Sequence, residues 1–436
     1  MQDQTLLLSR RSLLRSAGWF GAGLAGSSLL PGRLLAQPAA EAMYPTVTSL
    51  VDEYVSSGRL AGAVAALGWG KDAPMQIARG KLAFDAAVPV DLDSLFRIYS
   101  MTKPITGMAA MMLVDEGKIG LDQPISDFLP KFAKMQVQVT PDGSITDLKP
   151  AKTAITLRHL LTHTAGLGYT IIQKGPIKDA YEAAGLVPAR VSRLPIPVLG
   201  KVHTVPTLAE FADKLAEMPL VYEPGTRFSY SVSLDVLGRV IEVVSGKSFD
   251  AFLAERMFGP CGMTSTGWQV SPAQVARLTT NYYLHDGKAD PLDPAATSAY
   301  LDPPAFPFGG AGLVSSPRDY DRFLMMLAGG GMIGTTRVMS EAGVRLGTSN
   351  LLPASVDRTG TWIADSGFGA GGRVGLGADA GTYGWSGAAG TIGFVNTRIG
   401  LRAGLFVQYM PSYGLPLGEE FPKSVLTDIS AMKKAA

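Results

Sequence analysis

The chain has few residues of several kinds, and each shortage excludes a class of protein. Cys261 is the only cysteine, which rules out an intrachain disulfide and a disulfide-stabilised scaffold. Charged residues make up 17% of the chain and the formal net charge is +2, so no basic surface for nucleic acid is indicated. An internal repeat and a recognisable cofactor motif are also missing. With 436 residues the chain can form a sizeable core, and we expect a globular protein without a bound cofactor.

The N-terminal segment has the features of a twin-arginine export signal. A pair of arginines at positions 10 and 11 precedes a moderately apolar stretch at residues 17–30, rich in glycine and alanine. That stretch is too short for a comfortable membrane span, and no cysteine lies nearby to carry a lipid anchor. We predict a signal over residues 1–40, with cleavage after Ala36, Ala40 or Ala42, and one bilobal domain over residues 41–436.

The predicted signal also carries the positive charge. Residues 1–36 contain four arginines and one aspartate, so the formal net charge changes from +2 to −1 without them. Because the positive charge belongs to the signal, we expect no nucleic-acid partner. Because the signal directs export, we expect a mature protein that is periplasmic or secreted and has no stable membrane anchor.

Hydrophobic patterning predicts strands near both ends of the chain and helices in between. Residues 62–69 and 75–79 are typical of a hairpin, and residues 390–395 and 401–409 are typical of two more antiparallel strands. Helices are predicted at the termini, over residues 44–57 and 418–433. This pattern favours an α+β fold, in which an antiparallel sheet is flanked by the N- and C-terminal helices and a mostly helical lobe is inserted.

Two segments between these elements, residues 130–155 and 170–205, are rich in glycine, proline and mixed polar residues. We predict that both are long loops or insertions near the functional site.

Neither the cysteine nor the histidines predict a metal site. Cys261 lies between turn residues and is interpreted as a small buried packing residue. His159 and His163 are four residues apart, a spacing that can bind a metal on a helix face. No acidic residue lies between them and no third ligand is evident, so we predict no metal.

Ser100 and Lys103 are the first candidate catalytic pair. Residues three apart at the start of a helix share one face, so the lysine amine can reach the serine hydroxyl and act as a base or proton relay. Pro104 is tolerated only in the first turn of a helix, which places the helix start near Ser100. A nucleophile there also benefits from free backbone N–H groups and from the positive end of the helix dipole.

The S-x-x-K pattern alone is weak, because it occurs again at Ser430 and Lys433 in the C-terminal tail. Tyr230 supplies a possible third member of the first site. A lysine ammonium stabilises a phenolate, so Lys103 and Tyr230 could share the proton taken from the serine. On position alone, Tyr230 could equally be a core tyrosine beside a helix start.

Residues 383–388 supply candidates for substrate binding and oxyanion stabilisation. The small residues Ser386, Gly387 and Ala388 allow a substrate carbonyl to approach the backbone closely. We predict an oxyanion hole formed by the N–H groups of Ala388 and Ser100. Trp385 is predicted to pack and to line the acyl pocket.

In this order, the three segments resemble those of the serine β-lactamase and penicillin-binding-protein superfamily, above all its class C-like branch with the family VIII carboxylesterases. The resemblance extends from about residue 44 to residue 433 and includes residues 95–103, 157–167 and 310–313. It implies a serine nucleophile, an acyl-enzyme intermediate and no cofactor.

Two departures from the superfamily pattern favour an esterase. Val232 stands where β-lactamases have an asparagine that holds the acylamido group, and valine cannot donate a hydrogen bond. Trp385 stands where they have a lysine that helps to bind the β-lactam carboxylate. Because both polar anchors are missing from the predicted substrate-binding residues, we expect a neutral, apolar ester as the substrate. We predict small-molecule carboxylic esters with short chains.

Three other functions stay open at this point. A β-lactamase or D-Ala-type peptidase, and an acyltransferase, would use the same acyl-enzyme. A catalytically silent penicillin-recognising protein would keep only the fold. No G-x-S-x-G elbow surrounds any serine, which counts against an α/β-hydrolase, and the spacing predicts no Ser-His-Asp triad.

Overall fold

The computed structural model describes residues 39–188, 190–193 and 204–435. Local sequence signals explain where helices begin, as one example shows. Ser316 caps one helix by accepting the Asp319 N–H at 3.1 Å, and Pro317 follows in the first turn, where its missing N–H costs nothing. The α-helices in chain order are α1 (Pro45–Ser56), α2 (Thr102–Asp115), α3 (Leu157–Leu161), α4 (Gly175–Ala183), α5 (Leu208–Leu215), α6 (Ser233–Ser245), α7 (Phe249–Leu253), α8 (Gly259–Cys261), α9 (Pro317–Ala328), α10 (Glu341–Gly347) and α11 (Leu417–Ala435).

One antiparallel sheet of seven strands dominates the β structure, in the order β11-β12-β13-β14-β15-β1-β2. The remaining strands form short two- and three-stranded ladders. The strands in chain order are β1 (Gly62–Trp69), β2 (Met75–Gly80), β3 (Phe96–Arg97), β4 (Gln136–Gln138), β5 (Leu148–Pro150), β6 (Asn281–His285), β7 (Lys288–Asp293), β8 (Val314–Ser315), β9 (Met332–Ile333), β10 (Thr336–Arg337), β11 (Gly367–Phe368), β12 (Arg373–Val374), β13 (Thr382–Ser386), β14 (Ile392–Asn396), β15 (Leu401–Phe406) and β16 (Tyr409–Met410).

Strand β1 shows how the sheet separates two cores. Successive side chains of a strand point to opposite faces, and here both faces are buried. Ala65 and Leu67 pack with the terminal helices α1 and α11, which cover one face of the sheet. Val64 and Ala66 face the larger core, where α9 packs across β14, β15 and β1 and the helical lobe lies beyond it. The predicted α+β architecture is confirmed.

Both predicted strand pairs are present. β1 pairs with β2, and β14 pairs with β15, each in antiparallel register. Residues 383–388 lie just before strand β14, but the sequence patterning did not predict that most of them form a strand themselves. Thr382–Ser386 is itself strand β13, in the interior of the sheet between β12 and β14.

The two segments predicted as long loops contain regular structure, so that prediction was wrong in part. Residues 130–155 include the hairpin of β4 and β5, and helix α4 occupies the first half of residues 170–205. Helix α4 starts with glycine and proline, two residues that break a helix in its interior but are accepted at its first turn. Most of the last part of the second segment, including the histidine at position 203, lies outside the described residues.

The predicted export signal lies outside the described residues except for its last two positions. Residues 39–43 are helical, and Ala40 is fully buried in the core formed with α1 and α11. The Glu41 carboxylate forms an ion pair with Arg79 at 2.8 Å. Within the described residues, none of the helices is both long and apolar enough to span a membrane.

A buried ion pair fixes the chain immediately before Ser100. The Arg97 side chain is fully buried; its Nε donates to the Asp293 carboxylate at 2.7 Å and its Nη1 to the Thr279 carbonyl at 2.6 Å. Strand β3 also pairs with β8. Because a buried guanidinium is stable only when its donors are matched, Arg97 holds this segment in one position.

Candidate active site

Ser100 lies on a tight turn between strand β3 and helix α2. Residues Tyr99–Met101 form one 3-10 turn, and helix α2 begins at Thr102, so the helix start predicted from Pro104 is confirmed within two residues. Tyr99 has a φ angle of +40°, a conformation that is strained for a bulky side chain. Such strain persists only where the surroundings enforce it, and here it turns Ser100 out of the core to a half-buried position.

Two side chains converge on the Ser100 hydroxyl. The Tyr230 hydroxyl donates to Ser100 Oγ at 2.8 Å, and Lys103 Nζ donates to the same oxygen at 3.3 Å. The Lys103 amine also lies 4.5 Å from the centre of the Tyr230 ring. Lys103 is fully buried and Tyr230 is 6% exposed, so both partners of the half-buried Ser100 are largely shielded from water. The arrangement allows a proton to pass between Ser100 and either partner.

Lys103 has a further partner that the sequence motif did not contain. Its Nζ donates to the Gly310 carbonyl at 2.7 Å. Helix α2 holds the same segment through Thr106, whose hydroxyl donates to the Gly309 carbonyl at 2.7 Å. A Cβ at Gly310 would lie 2.7 Å from the Asp235 carboxylate. The glycines therefore permit the close backbone approach that brings a carbonyl to the lysine.

The end of strand β13 lies beside the nucleophile segment. A Cβ at Gly387 would be 2.4 Å from the Ile98 carbonyl, so only glycine fits there. Trp385 Nε1 donates to the Tyr230 hydroxyl at 3.3 Å, and the two rings lie 5.9 Å apart. The Ala388 N–H donates to no group within the part of the chain that the structure describes. It is thus available for an oxygen atom from outside the protein.

The other predicted substrate-binding residues differ in exposure. Ser386 is exposed and Trp385 is half-buried. Val232 is fully buried at the residue before α6, and its backbone N–H donates to the Gly168 carbonyl at 3.3 Å. Its side chain therefore has no surface open to a ligand, contrary to the expectation of direct substrate contact.

His159 and His163, the two histidines four residues apart, support the local structure through hydrogen bonds to the backbone. His159 Nδ1 accepts the Thr156 N–H at 3.2 Å and completes a capping box at the start of α3. His163 Nδ1 accepts the Ser231 N–H at 3.1 Å, and its ring lies 4.6 Å from the Tyr230 ring. Burial and the nearby Lys103 hold the pKa of His163 well below its usual value, so His163 is a neutral support for the tyrosine segment.

Three residues of the site carry no signal in the sequence motifs: Tyr169, Asp235 and Trp362. The Tyr169 ring lies 5.9 Å from both Lys103 Nζ and the Tyr230 ring. The Trp362 ring lies 5.3 Å from the Tyr230 ring and is 63% exposed. These contacts join distant parts of the chain, so spacing within one segment cannot reveal them. Asp235 contacts the site through Gly310, whose N–H donates to the Asp235 carboxylate.

Cys261 is buried and unpaired, as predicted. Burial raises the pKa of its thiol to about 12, which keeps it protonated and unreactive.

Asp235 makes the stability of the fold depend on pH. Its carboxylate accepts the Gly310 N–H at 3.0 Å, and burial raises its pKa to about 6, with Lys103 opposing the shift. In the unfolded chain an aspartate ionises near pH ~4, so folded Asp235 binds its proton more tightly and its ionisation destabilises the fold as pH rises from about 4 to 6. For Asp235→Asn, the free energy of unfolding relative to wild type should therefore rise by about 2 kcal/mol between pH 4 and pH 7.

Urea denaturation of both proteins at pH 4, 5, 6 and 7 measures this difference. A difference that stays constant, or that falls as pH rises, would show that the buried carboxylate is not the titrating group.

Comparison with known proteins places this geometry in a family. The family model described as Beta-lactamase matches residues 47–417. The chain belongs to the β-lactamase family. The predicted resemblance to the serine β-lactamase and penicillin-binding-protein superfamily is thereby confirmed, and the protein is a serine hydrolase related to carboxylesterases.

Individual relatives match over most of their length. Protein Rv1367c of Mycobacterium tuberculosis is 38% identical over 300 residues, which cover 68% of this chain and 69% of that protein. Esterase EstB of Burkholderia gladioli is 31% identical over 294 residues, covering 63% of this chain and 68% of EstB. The solved structure of EstCE1, described as a hydrolase with promiscuous acyltransferase activity, superposes with a TM-score of 0.71 at 24% identity. It covers 89% of this chain and 100% of that one, and it shares the fold.

Proposed function

We propose that this β-lactamase-family protein is an exported esterase that hydrolyses small carboxylic esters through an acyl-enzyme on Ser100. The observation that carries the proposal is the meeting of the Tyr230 hydroxyl and Lys103 Nζ at Ser100 Oγ, 2.8 and 3.3 Å away. A serine hydroxyl is a weak nucleophile until a neighbouring group takes its proton, and both neighbours are in reach.

Acylation starts when Ser100 Oγ attacks the ester carbonyl carbon and its proton passes to the Lys103–Tyr230 pair. The carbonyl oxygen becomes an oxyanion, which the Ala388 and Ser100 N–H groups stabilise. The carbon–oxygen bond to the alcohol then breaks, and Tyr230 returns the proton to the leaving alcohol. A water molecule attacks the acyl-enzyme with the same pair as base, which releases the acid and restores Ser100.

Apolar groups around Ser100 support an ester in preference to a β-lactam. Three aromatic rings, those of Trp385, Tyr169 and Trp362, surround Tyr230, whose hydroxyl donates to Ser100 Oγ. The buried Val232 supplies no side-chain amide for an acylamido group. Trp385 supplies no positive charge for a carboxylate. The relative EstB is named an esterase, which agrees with this reading.

Acyl transfer is the second candidate function. Deacylation by an alcohol instead of water would need no new catalytic group. The accepting alcohol would give its proton to Tyr230 at the position where the leaving alcohol received one. EstCE1, which shares the fold, is described as having promiscuous acyltransferase activity. Product analysis with an added alcohol separates the two outcomes.

We also propose cleavage of the export signal after Ala36. Cleavage after Ala42 would remove both the buried Ala40 and the ion pair of Glu41 with Arg79, and cleavage after Ala40 would remove the first of these. N-terminal sequencing of the exported protein identifies the cut. A mature chain that starts at residue 43 would contradict this choice.

The test of function is a comparison of two chromogenic substrates with the mature protein. Turnover of a short-chain 4-nitrophenyl ester should exceed turnover of a chromogenic cephalosporin by a wide margin. A dominant cephalosporin activity would mean that the missing polar anchors are not needed, and the protein would then be a β-lactamase.

A further inference from the structure

Trp362 occupies an unusual position above the proposed catalytic tyrosine. Its ring lies 5.3 Å from the Tyr230 ring in an edge-to-face arrangement at 66°, yet 63% of the residue is exposed. A large aromatic side chain left open to water loses the free energy that burial would give. Here the open surface adjoins the site of reaction.

The backbone around Trp362 is tied to the segment that carries Tyr230. The Asp357 N–H donates to the Thr226 carbonyl at 2.9 Å, and the Phe228 N–H donates to the Asp357 carbonyl at 2.9 Å. Arg227 and Asp357 also form an ion pair across the two segments. The start of the loop that carries Trp362 is therefore fixed to the tyrosine segment, and the Trp362 ring packs against the Tyr230 ring.

The residue that follows Trp362 anchors the loop in the larger core. Ile363 is fully buried in the larger core, whereas Trp362, directly before it, points an exposed ring outward. The Thr361 hydroxyl donates to the Arg358 carbonyl at 2.6 Å, and the Arg358 side chain donates to the Ser366 carbonyl at 2.6 Å. Trp362 is thus held on an ordered turn and offers a preformed apolar face.

We propose that Trp362 forms the subsite for the alcohol part of the substrate and selects flat aromatic alcohols. This inference rests on the proposed function, in which Tyr230 protonates the leaving alcohol oxygen. The organic group of an alcohol bound at the Tyr230 hydroxyl is then within reach of Trp362, whose ring packs against the Tyr230 ring. The face of an indole ring pairs best with another aromatic ring, which gains stacking in addition to burial.

The same geometry sets the acceptor in acyl transfer. An accepting alcohol loses its proton at the position where the leaving alcohol gains one, so both bind in the same subsite. Aromatic alcohols should therefore compete with water for the acyl-enzyme better than methanol does.

Three esters distinguish an effect on the alcohol part from an effect on the acyl part: 1-naphthyl acetate, methyl acetate and methyl 1-naphthoate. For Trp362→Ala, kcat/KM for 1-naphthyl acetate should fall about tenfold, mainly through KM, as expected for the loss of about 1.4 kcal/mol of stacking and burial. Methyl acetate and methyl 1-naphthoate should change less than about twofold. Trp362→Phe should restore most of the loss, since a phenyl ring can still stack.

A binding measurement keeps this test independent of turnover. Calorimetry should show 1-naphthol binding to the Ser100→Ala variant, and about tenfold weaker binding when Trp362→Ala is added. Tyr413→Ala is the matched control, because Tyr413 is an exposed aromatic residue on a turn before α11. It should change neither binding nor turnover.

The outcomes distinguish this inference from the proposed function. Equal losses on all three esters, or a loss confined to methyl 1-naphthoate, would overturn the alcohol subsite while the esterase stands. Binding of 1-naphthol that depends on Trp362, in a protein that cleaves no ester, would overturn the esterase and leave the subsite. Absence of both would overturn both.

Discussion

Ser100→Ala should lower kcat/KM for ester hydrolysis by at least about 10⁴-fold. The reason is that Ser100 Oγ is the atom proposed to form the covalent bond to the acyl group, and alanine has no substitute for it. Lys103 and Tyr230 meet at this hydroxyl, and without it they have no nucleophile to deprotonate. The measurement is the steady-state hydrolysis of a 4-nitrophenyl ester by matched preparations.

The chain supplies its own control for this variant. Ser430 and Lys433 repeat the S-x-x-K spacing on helix α11, where the Ser430 hydroxyl donates to the Leu426 carbonyl at 2.7 Å. Ser430→Ala should leave turnover unchanged. Full activity in Ser100→Ala, or an equal loss in Ser430→Ala, would remove Ser100 from the mechanism.

Lys103→Met and Tyr230→Phe should each lower kcat by about 10²- to 10⁴-fold, the range expected for the loss of a general acid–base group. Methionine keeps the length of the buried side chain but cannot bind the Gly310 carbonyl or move a proton. Phenylalanine keeps the aromatic contacts of Tyr230 and removes only its hydroxyl. Ester hydrolysis as a function of pH measures both variants.

The double variant decides whether Lys103 and Tyr230 act together. If they share one proton, Lys103→Met combined with Tyr230→Phe should lower kcat little more than the more damaging single change. Losses that multiply would show two independent roles. Circular dichroism and the thermal midpoint check that the buried Lys103 site still folds, and Lys433→Met in the tail serves as the surface control.

The core of the site could be predicted from the sequence because its members lie in short, regular patterns. Ser100 and Lys103 are one helical turn apart, and Pro104 fixes where that turn begins. Tyr230 is 130 residues further along the chain, and its contact with Ser100 could be anticipated only from the family resemblance. The groups that surround the site could not be predicted, because the Gly310 carbonyl and the Asp235 carboxylate reach it through tertiary packing alone.

Strands β1, β14 and β15 could be predicted because they are largely apolar runs bounded by turn residues. Strand β2 could be predicted because Met75 and Ile77 alternate with the polar Gln76. Strand β13 was missed because glycine, serine and tryptophan give Thr382–Ser386 no such run. Its place in the sheet depends on pairing with β14 along its whole length and with β12 at Tyr383 and Gly384. The prediction that Val232 contacts the substrate was wrong for a similar reason. The motif identifies the residue, but whether its side chain is buried depends on how α6 packs.

The most direct test of the central claim is to trap the acyl-enzyme and locate it. The protein is mixed with a 4-nitrophenyl ester, quenched in acid within the first turnovers, digested and analysed by mass spectrometry. We expect one acyl group on the peptide containing Ser100 and none on the peptide containing Ser430. Rapid ester turnover with the acyl group on another residue would contradict this expectation.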